Sequence, residues 1–230
     1  MRRREFFQSG GALIVAFSLL PAALAQEGKK PPLPGSLKDS PLLDSWIRIG
    51  ADGRVTVFTG KAELGQGIKT ALIQLAAEEL AVDPGAIAIV TADTAKTPNE
   101  GYTAGSHSMQ DSGTAIRNAA AQAREILIGI AAKRLGTAPE RLEARDGGVR
   151  APDGGLIAYG DLVAGDVLHV SAQMQSKLTP PGRHALIGKS APRVDIPSKV
   201  AGGASYVHDL RLPGMAHARI VPPPAGCRAC

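Results

Sequence analysis

Residues 60–70 read Gly-Lys-Ala-Glu-Leu-Gly-Gln-Gly-Ile-Lys-Thr, which sets three glycines and one carboxamide directly before an apolar-periodic run. Glycine lets backbone N–H groups come close to a ligand, and a helix start leaves four N–H groups unpaired. That chemistry suits a phosphate or another anion. Residues 99–108, Asn-Glu-Gly-Tyr-Thr-Ala-Gly-Ser-His-Ser, place small hydroxylated or glycyl residues before a second helix-like run. Two such loops, each opening a helix, point to a shared anionic ligand. Glu63 and Glu100 are the acids inside them, and neither is read as a catalytic base. Glu63 is expected to cap or ion-pair locally. His107 is a candidate hydrogen-bonding partner for a ligand or for its own loop. The histidines show no zinc-ligand spacing, so no protein-bound metal is expected.

These loops need elements to hold them. Residues 46–49 and 55–58 alternate on either side of Asp52-Gly53, a hairpin signal. Ile68, Leu72, Leu75 and Leu80 mark a helix over residues 68–81, and the Ile/Val-rich run 87–90 reads as a strand. A long loop over 93–110 precedes a helix over 111–135, with Ile116, Ala119, Ala120, Ala123, Leu127, Ile130 and Ala131 as its core stripe. Residues 142–159 read as a hairpin around Asp153-Gly154-Gly155, and 160–164 as one helical turn. The order gives an α+β domain over residues 44–177, with helices packed on a small mixed sheet. Residues 26–43 and 178–194, rich in proline, read as linkers. Gly188-Lys189-Ser190 is not a phosphate-binding P-loop, because position 183 is Arg and no helix follows.

Composition narrows the classes. Hydrophobic residues make up 44% of the 230, but aromatics only 3%, which argues against a nucleic-acid reader built on stacking. The formal charge of +5 falls to +3 without residues 1–25, which carry three arginines and one glutamate. No nucleic-acid partner is indicated. Residues 1–25 have a basic start, an apolar stretch over 10–20 and Ala23-Leu24-Ala25 as a cleavage site, so mature protein is expected to begin at Gln26. Arg3, Arg4 and Phe6 resemble a twin-arginine signal, which directs folded proteins to the periplasm or cell envelope. Cys227 and Cys230 form a C-x-x-C with no surrounding motif, and no function is assigned to them.

Glu63-Leu64-Gly65-Gln66-Gly67, Thr70, Gln74, Ala77-Glu78, Asp93-Thr94, Pro98-Asn99, Thr103, Gly105-Ser106 and Gly113 together resemble a molybdopterin-binding segment of the xanthine dehydrogenase/aldehyde oxidase family. The variant is the exported type, similar to isoquinoline 1-oxidoreductase large subunits and bacterial aldehyde dehydrogenases. Residues 195–221, with Asp209-Leu210-Arg211-Leu212-Pro213-Gly214-Met215, resemble the start of that family's a/b hammerhead domain. The resemblance implies that Gly65, Gln66, Gly67, Thr103, Gly105, Ser106 and Ser108 contact a molybdenum–molybdopterin cytosine dinucleotide. It implies [2Fe–2S] clusters on a small partner subunit, a cytochrome c electron acceptor, and aldehyde or N-heterocycle substrates with water as the oxygen source. The cofactor carries that chemistry. Family members are roughly three times this length, and the family's catalytic glutamate has no counterpart here, so no catalytic residue is assigned. The expectation is a truncated, inactive piece of the large subunit, the 195–230 segment breaking off by frameshift or truncation. The alternative is a non-catalytic exported module binding a phosphorylated small molecule.

Overall fold

The computed structural model describes residues 32–163 and 169–221. The expected signal segment, the start of the first expected linker, the expected end of the helical turn at Ala164 and both cysteines lie outside the described residues. The chain divides after Pro32, and all that follows concerns the unit from Leu33 onward.

Strand β1 (Ile47–Ile49) pairs antiparallel with β2 (Val55–Thr59), which pairs in parallel with β3 (Ile87–Thr91). The sequence alternation sets the faces: Ile47, Ile49, Val55 and Val57 are buried, while Arg48 points outward, its guanidinium 5.2 Å from the Phe58 ring centroid. A parallel pair needs a crossover, and helix α1 (Ile68–Leu80) supplies it. The helix ends at left-handed Ala81, where the Val82 N–H reaches back to the Ala77 carbonyl at 3.1 Å. This matches the helix expected over 68–81.

Helix α2 (Thr114–Leu135) packs along α1 and is preceded by a single π-helical turn, Ser108–Gly113. The regular helix therefore starts three residues later than expected, and the wider turn takes its place. Ala115, Ala119, Ala120, Ala123 and Ala131 are buried with Ile116 and Leu127, so the small-residue stripe is core, although Ile130 is only half-buried. The expected hairpin over 142–159 is half of a three-stranded antiparallel meander, β4 (Glu143–Arg145), β5 (Gly148–Arg150) and β6 (Leu156–Ala158). Its additional turn is Asp146-Gly147, with φ of 50° and 76°, the backbone that two-residue hairpins require. A helical turn, α3 (Tyr159–Val163), closes the meander, and the Tyr159 hydroxyl donates to the buried Leu80 carbonyl at 2.7 Å.

The fold is α+β, helices on a small mixed sheet. Beyond it, residues 178–194, read as a linker, lie along α1 and are fixed there by side-chain bonds described below. Residues 195–221 hold the turn α4 (Ile196–Val200) and one 3-10 turn, Val207–Asp209.

Candidate functional site

The two loops named from the sequence lie side by side at the end of β2. Thr103 Oγ1 accepts the Ala62 N–H at 2.8 Å, joining them directly. A buried polar node fixes both from below. Glu100 Oε2 accepts from the Thr59 hydroxyl (2.9 Å), the Gly60 N–H (2.8 Å) and the Ser112 hydroxyl (3.0 Å). Lys61, with its side chain 2% exposed, donates to the Glu100 carbonyl at 2.7 Å and the Tyr102 carbonyl at 3.3 Å, and its Nζ lies 3.9 Å from Asp111. At Gly60 a side chain would run into the Pro98 carbonyl, 2.3 Å from the Cβ position, so glycine is what permits this approach of the loops. The π-turn aims Ser112 into the node.

The glycine loop is closed on itself. Glu63 Oε1 accepts the N–H groups of Gly65 (2.8 Å) and Gly67 (2.9 Å), and its Oε2 accepts that of Lys69 (3.1 Å). Burial pushes the Glu63 carboxyl up, but bonds from Gly67, Lys69 and Gly65 outweigh it and hold the group below its ordinary value. The anion at this helix start is thus the chain's own carboxylate, which engages three of the N–H groups from which an anion site was argued. Glu63 caps locally, as expected. Gln66 also turns inward: its Oε1 accepts the Leu64 N–H (2.5 Å) and its Nε2 donates to the Ala62 carbonyl (2.8 Å).

Of the other expected contact residues, Gly105 and Ser106 are exposed, Ser106 in a left-handed conformation (φ 66°), and Ser108 is buried. His107 pairs with Asp111 at 2.8 Å on the surface. No atom lies within 4 Å of a Cβ at Gly65, Gly101 or Gly105, so the space before both loops is open. Leu64 and Tyr102 stand out into it, 71% and 81% exposed. Glu100 Oε1, by contrast, is buried and has no partner.

Thr70, Gln74 and Glu78 do not face this space. Spaced four apart along α1, they bind the strap formed by residues 178–194. Glu78 accepts the N–H groups of Ala185, Leu186 and Ile187 at 2.6–2.9 Å. Gln74 donates to the Leu186 and Lys189 carbonyls, and Thr70 Oγ1 accepts the Val194 N–H at 3.0 Å. Beside them, fully buried Glu79 accepts from Arg117, Arg124 and both the N–H and hydroxyl of Thr179. A cleft of about 910 Å³ opens elsewhere, between the meander, the end of α1 and the strap, and contains none of the loop residues.

This arrangement, a mixed βαβ layer presenting two joined polar loops to open space, makes the loops the wall of a candidate site on an α+β domain. At the surface of the two loops Gln66 and Ser106 present an exposed amide and hydroxyl, groups that suit the polar edge of a heterocycle such as a pterin. A phosphate is less well served, since Glu63 already holds the Gly65, Gly67 and Lys69 N–H groups. The sequence model of the molybdopterin cofactor-binding domain family matches residues 25–191, and the chain belongs to that family. It is 43% identical to a nicotinate dehydrogenase subunit of Pseudomonas putida over 78% of this chain and 15% of that one. It is 30% identical to the beta subunit of isoquinoline 1-oxidoreductase of Brevundimonas diminuta, over 96% of this chain and 33% of the relative. A membrane-bound aldehyde dehydrogenase of Gluconacetobacter polyoxogenes is 33% identical over 84% of this chain and 25% of its own. The chain therefore spans between 15% and 33% of the length of these relatives.

Proposed function

We propose that this chain forms part of the molybdopterin-binding large subunit of an exported oxidoreductase that hydroxylates N-heterocycles or oxidises aldehydes, with water as the oxygen source. The observation that carries the reading is the joining of the two sequence-named loops through Ala62 and Thr103, within the span matched by the family. Gly65, Gln66, Gly67, Thr103, Gly105, Ser106 and Ser108 form or support the wall. A molybdenum–molybdopterin cytosine dinucleotide would supply the redox chemistry when bound. This chain's residues would orient it: Gln66 through an amide able to turn outward, Ser106 through its hydroxyl, and the Thr59–Glu100–Ser112 node by keeping both loops in register. Relatives described as subunits support an iron–sulfur partner subunit, and a cytochrome c would accept the electrons. Residues 1–25 would act as a twin-arginine signal, and 195–221 as the beginning of a hammerhead domain.

Replacing Gln66 by Ala in an enzyme restored to the length of its relatives tests the assignment. The change removes the amide and leaves the glycine backbone. Molybdenum content is expected to fall about tenfold, in line with the loss of one well-placed polar contact. Normal occupancy would remove Gln66 from the cofactor site.

A further inference from the structure

The glycine loop has an outer tether that comes from 128 residues away along the chain: Arg193 Nη1 donates to the Gly65 carbonyl at 2.9 Å. The same guanidinium is gripped from behind by Asp195, with Nε to Oδ1 at 3.0 Å and Nη2 to Oδ2 at 2.7 Å. Lys199 also donates to Asp195 Oδ2, at 2.7 Å. On the loop side, Arg193 Nη2 lies 3.7 Å from Glu63 Oε1, the oxygen that holds the Gly65 and Gly67 N–H groups. Its Nε stands 3.6 Å from the Cβ position of Gly67, so the guanidinium lies against the loop backbone. Asp195 and Glu63 side chains are only 4% and 5% exposed. One planar fork thus joins a carbonyl and two nearly buried carboxylates through separate nitrogens, a spread that the compact point charge of a lysine ammonium does not match.

We propose that Arg193 is the positioning residue of the loop over residues 63–67, fixing the wall that carries Gln66 in its observed shape; its bearing on a cofactor rests on the function proposed above. Charge supports the geometry. The Asp195 hydrogen bond holds the Arg193 guanidinium above its ordinary value, and Arg193 followed by Lys199 holds the Asp195 carboxyl well below the usual carboxylate range. The strap is therefore more than packing: its far end sets the loop.

Hydrogen exchange on the full 230-residue chain tests this without any cofactor. Arg193→Ala is expected to speed exchange at Gly65, Gly67 and Lys69 about tenfold, the scale of one lost charge-assisted bond. The Leu186 and Ile187 amides, held by Glu78, should keep their rates. Arg193→Lys should resemble the alanine variant rather than wild type, and it carries the test if the alanine variant loses its circular-dichroism signal. Thr70→Val removes the neighbouring Val194 bond and should leave the loop amides slow. Unchanged loop exchange in both Arg193 variants, or equal loosening by Thr70→Val, overturns the proposal. In the length-restored holoenzyme, a parallel fall in molybdenum content supports both readings. Fast loop exchange with full molybdenum keeps the positioning role and removes the cofactor-wall reading.

Discussion

Glu79 has no exposed surface, and its carboxylate meets Arg117 Nε at 2.9 Å and Arg124 Nη1 at 3.0 Å. It also accepts the Thr179 N–H and hydroxyl, so one side chain ties α1, α2 and the strap together. Removing one partner of a buried ion pair strands the others, at a cost of about 3–5 kcal/mol. Glu79→Ala is therefore expected to lower stability by about that amount in urea unfolding, while Arg117→Ala, at a half-buried partner, should cost less. Equal, small effects from both would show the network to be solvent-screened. Little of this was legible in the sequence, because Glu79 and Thr179 are 100 positions apart and nothing local marks them as partners. Lys61, fully buried beneath the two loops, escaped for the same reason. The loops themselves were legible, since glycine, carboxamide and hydroxyl residues cluster within each. Glu63 was legible as a local cap; that the cap takes three of the N–H groups an anion would need follows only from its bonds to Gly65, Gly67 and Lys69.

Helix α1 shows how a sequence pattern can be noticed and its purpose missed. Thr70, Gln74 and Glu78 help carry the family resemblance, yet in the structure they form a polar stripe that binds the strap's backbone. The apolar stripe of α1 was readable from its 3.6-residue period. The polar one had no visible partner, because residues 178–194 have the proline-rich composition of a linker and no period of their own. The meander's extra strand was hidden similarly: three-residue strands are too short to show alternation, and Asp146-Gly147 alone marks the turn. Glu78 makes the strap pH-sensitive. Burial pushes its carboxyl up, but the N–H groups of Ala185, Ile187 and Leu186, with His184 nearby, bring it below its ordinary value of 4.5. A depressed carboxyl stabilises the folded state fully above that ordinary value and loses its contribution as pH falls through the folded one. Protection of the amides at 185–187 should thus hold from pH 7 to about 5 and fall roughly tenfold on further acidification, for about 1–2 kcal/mol. Glu78→Gln should show low, pH-flat protection in the same exchange measurement. Retained acid sensitivity in that variant would move the effect to another group.

The surface of the unit is uneven in a way that bears on what the chain can do alone. Leu64 and Tyr102 are exposed at the two loops, and Val207, Leu212, Ile220 and Val221 are 63–90% exposed along residues 207–221. Large exposed apolar surfaces mark places where protein, membrane or ligand docks, and the relatives carry far more chain than the part matched here. The loops form one wall with open space before it. A wall that contacts a dinucleotide on one side must still offset the ligand's lost translational and rotational freedom, which costs several kcal/mol before any contact is counted. Two polar loops, one already bonded to itself through Glu63 and Gln66, give little surplus. The 230-residue chain, made in a host that synthesises the molybdenum cofactor, is therefore expected to purify with far less than stoichiometric molybdenum and to leave aldehydes and N-heterocycles unchanged. Metal analysis and a substrate panel with an artificial electron acceptor measure both. Stoichiometric metal with turnover would mean that the wall suffices as a site, and that the additional chain of the relatives serves something other than holding the cofactor.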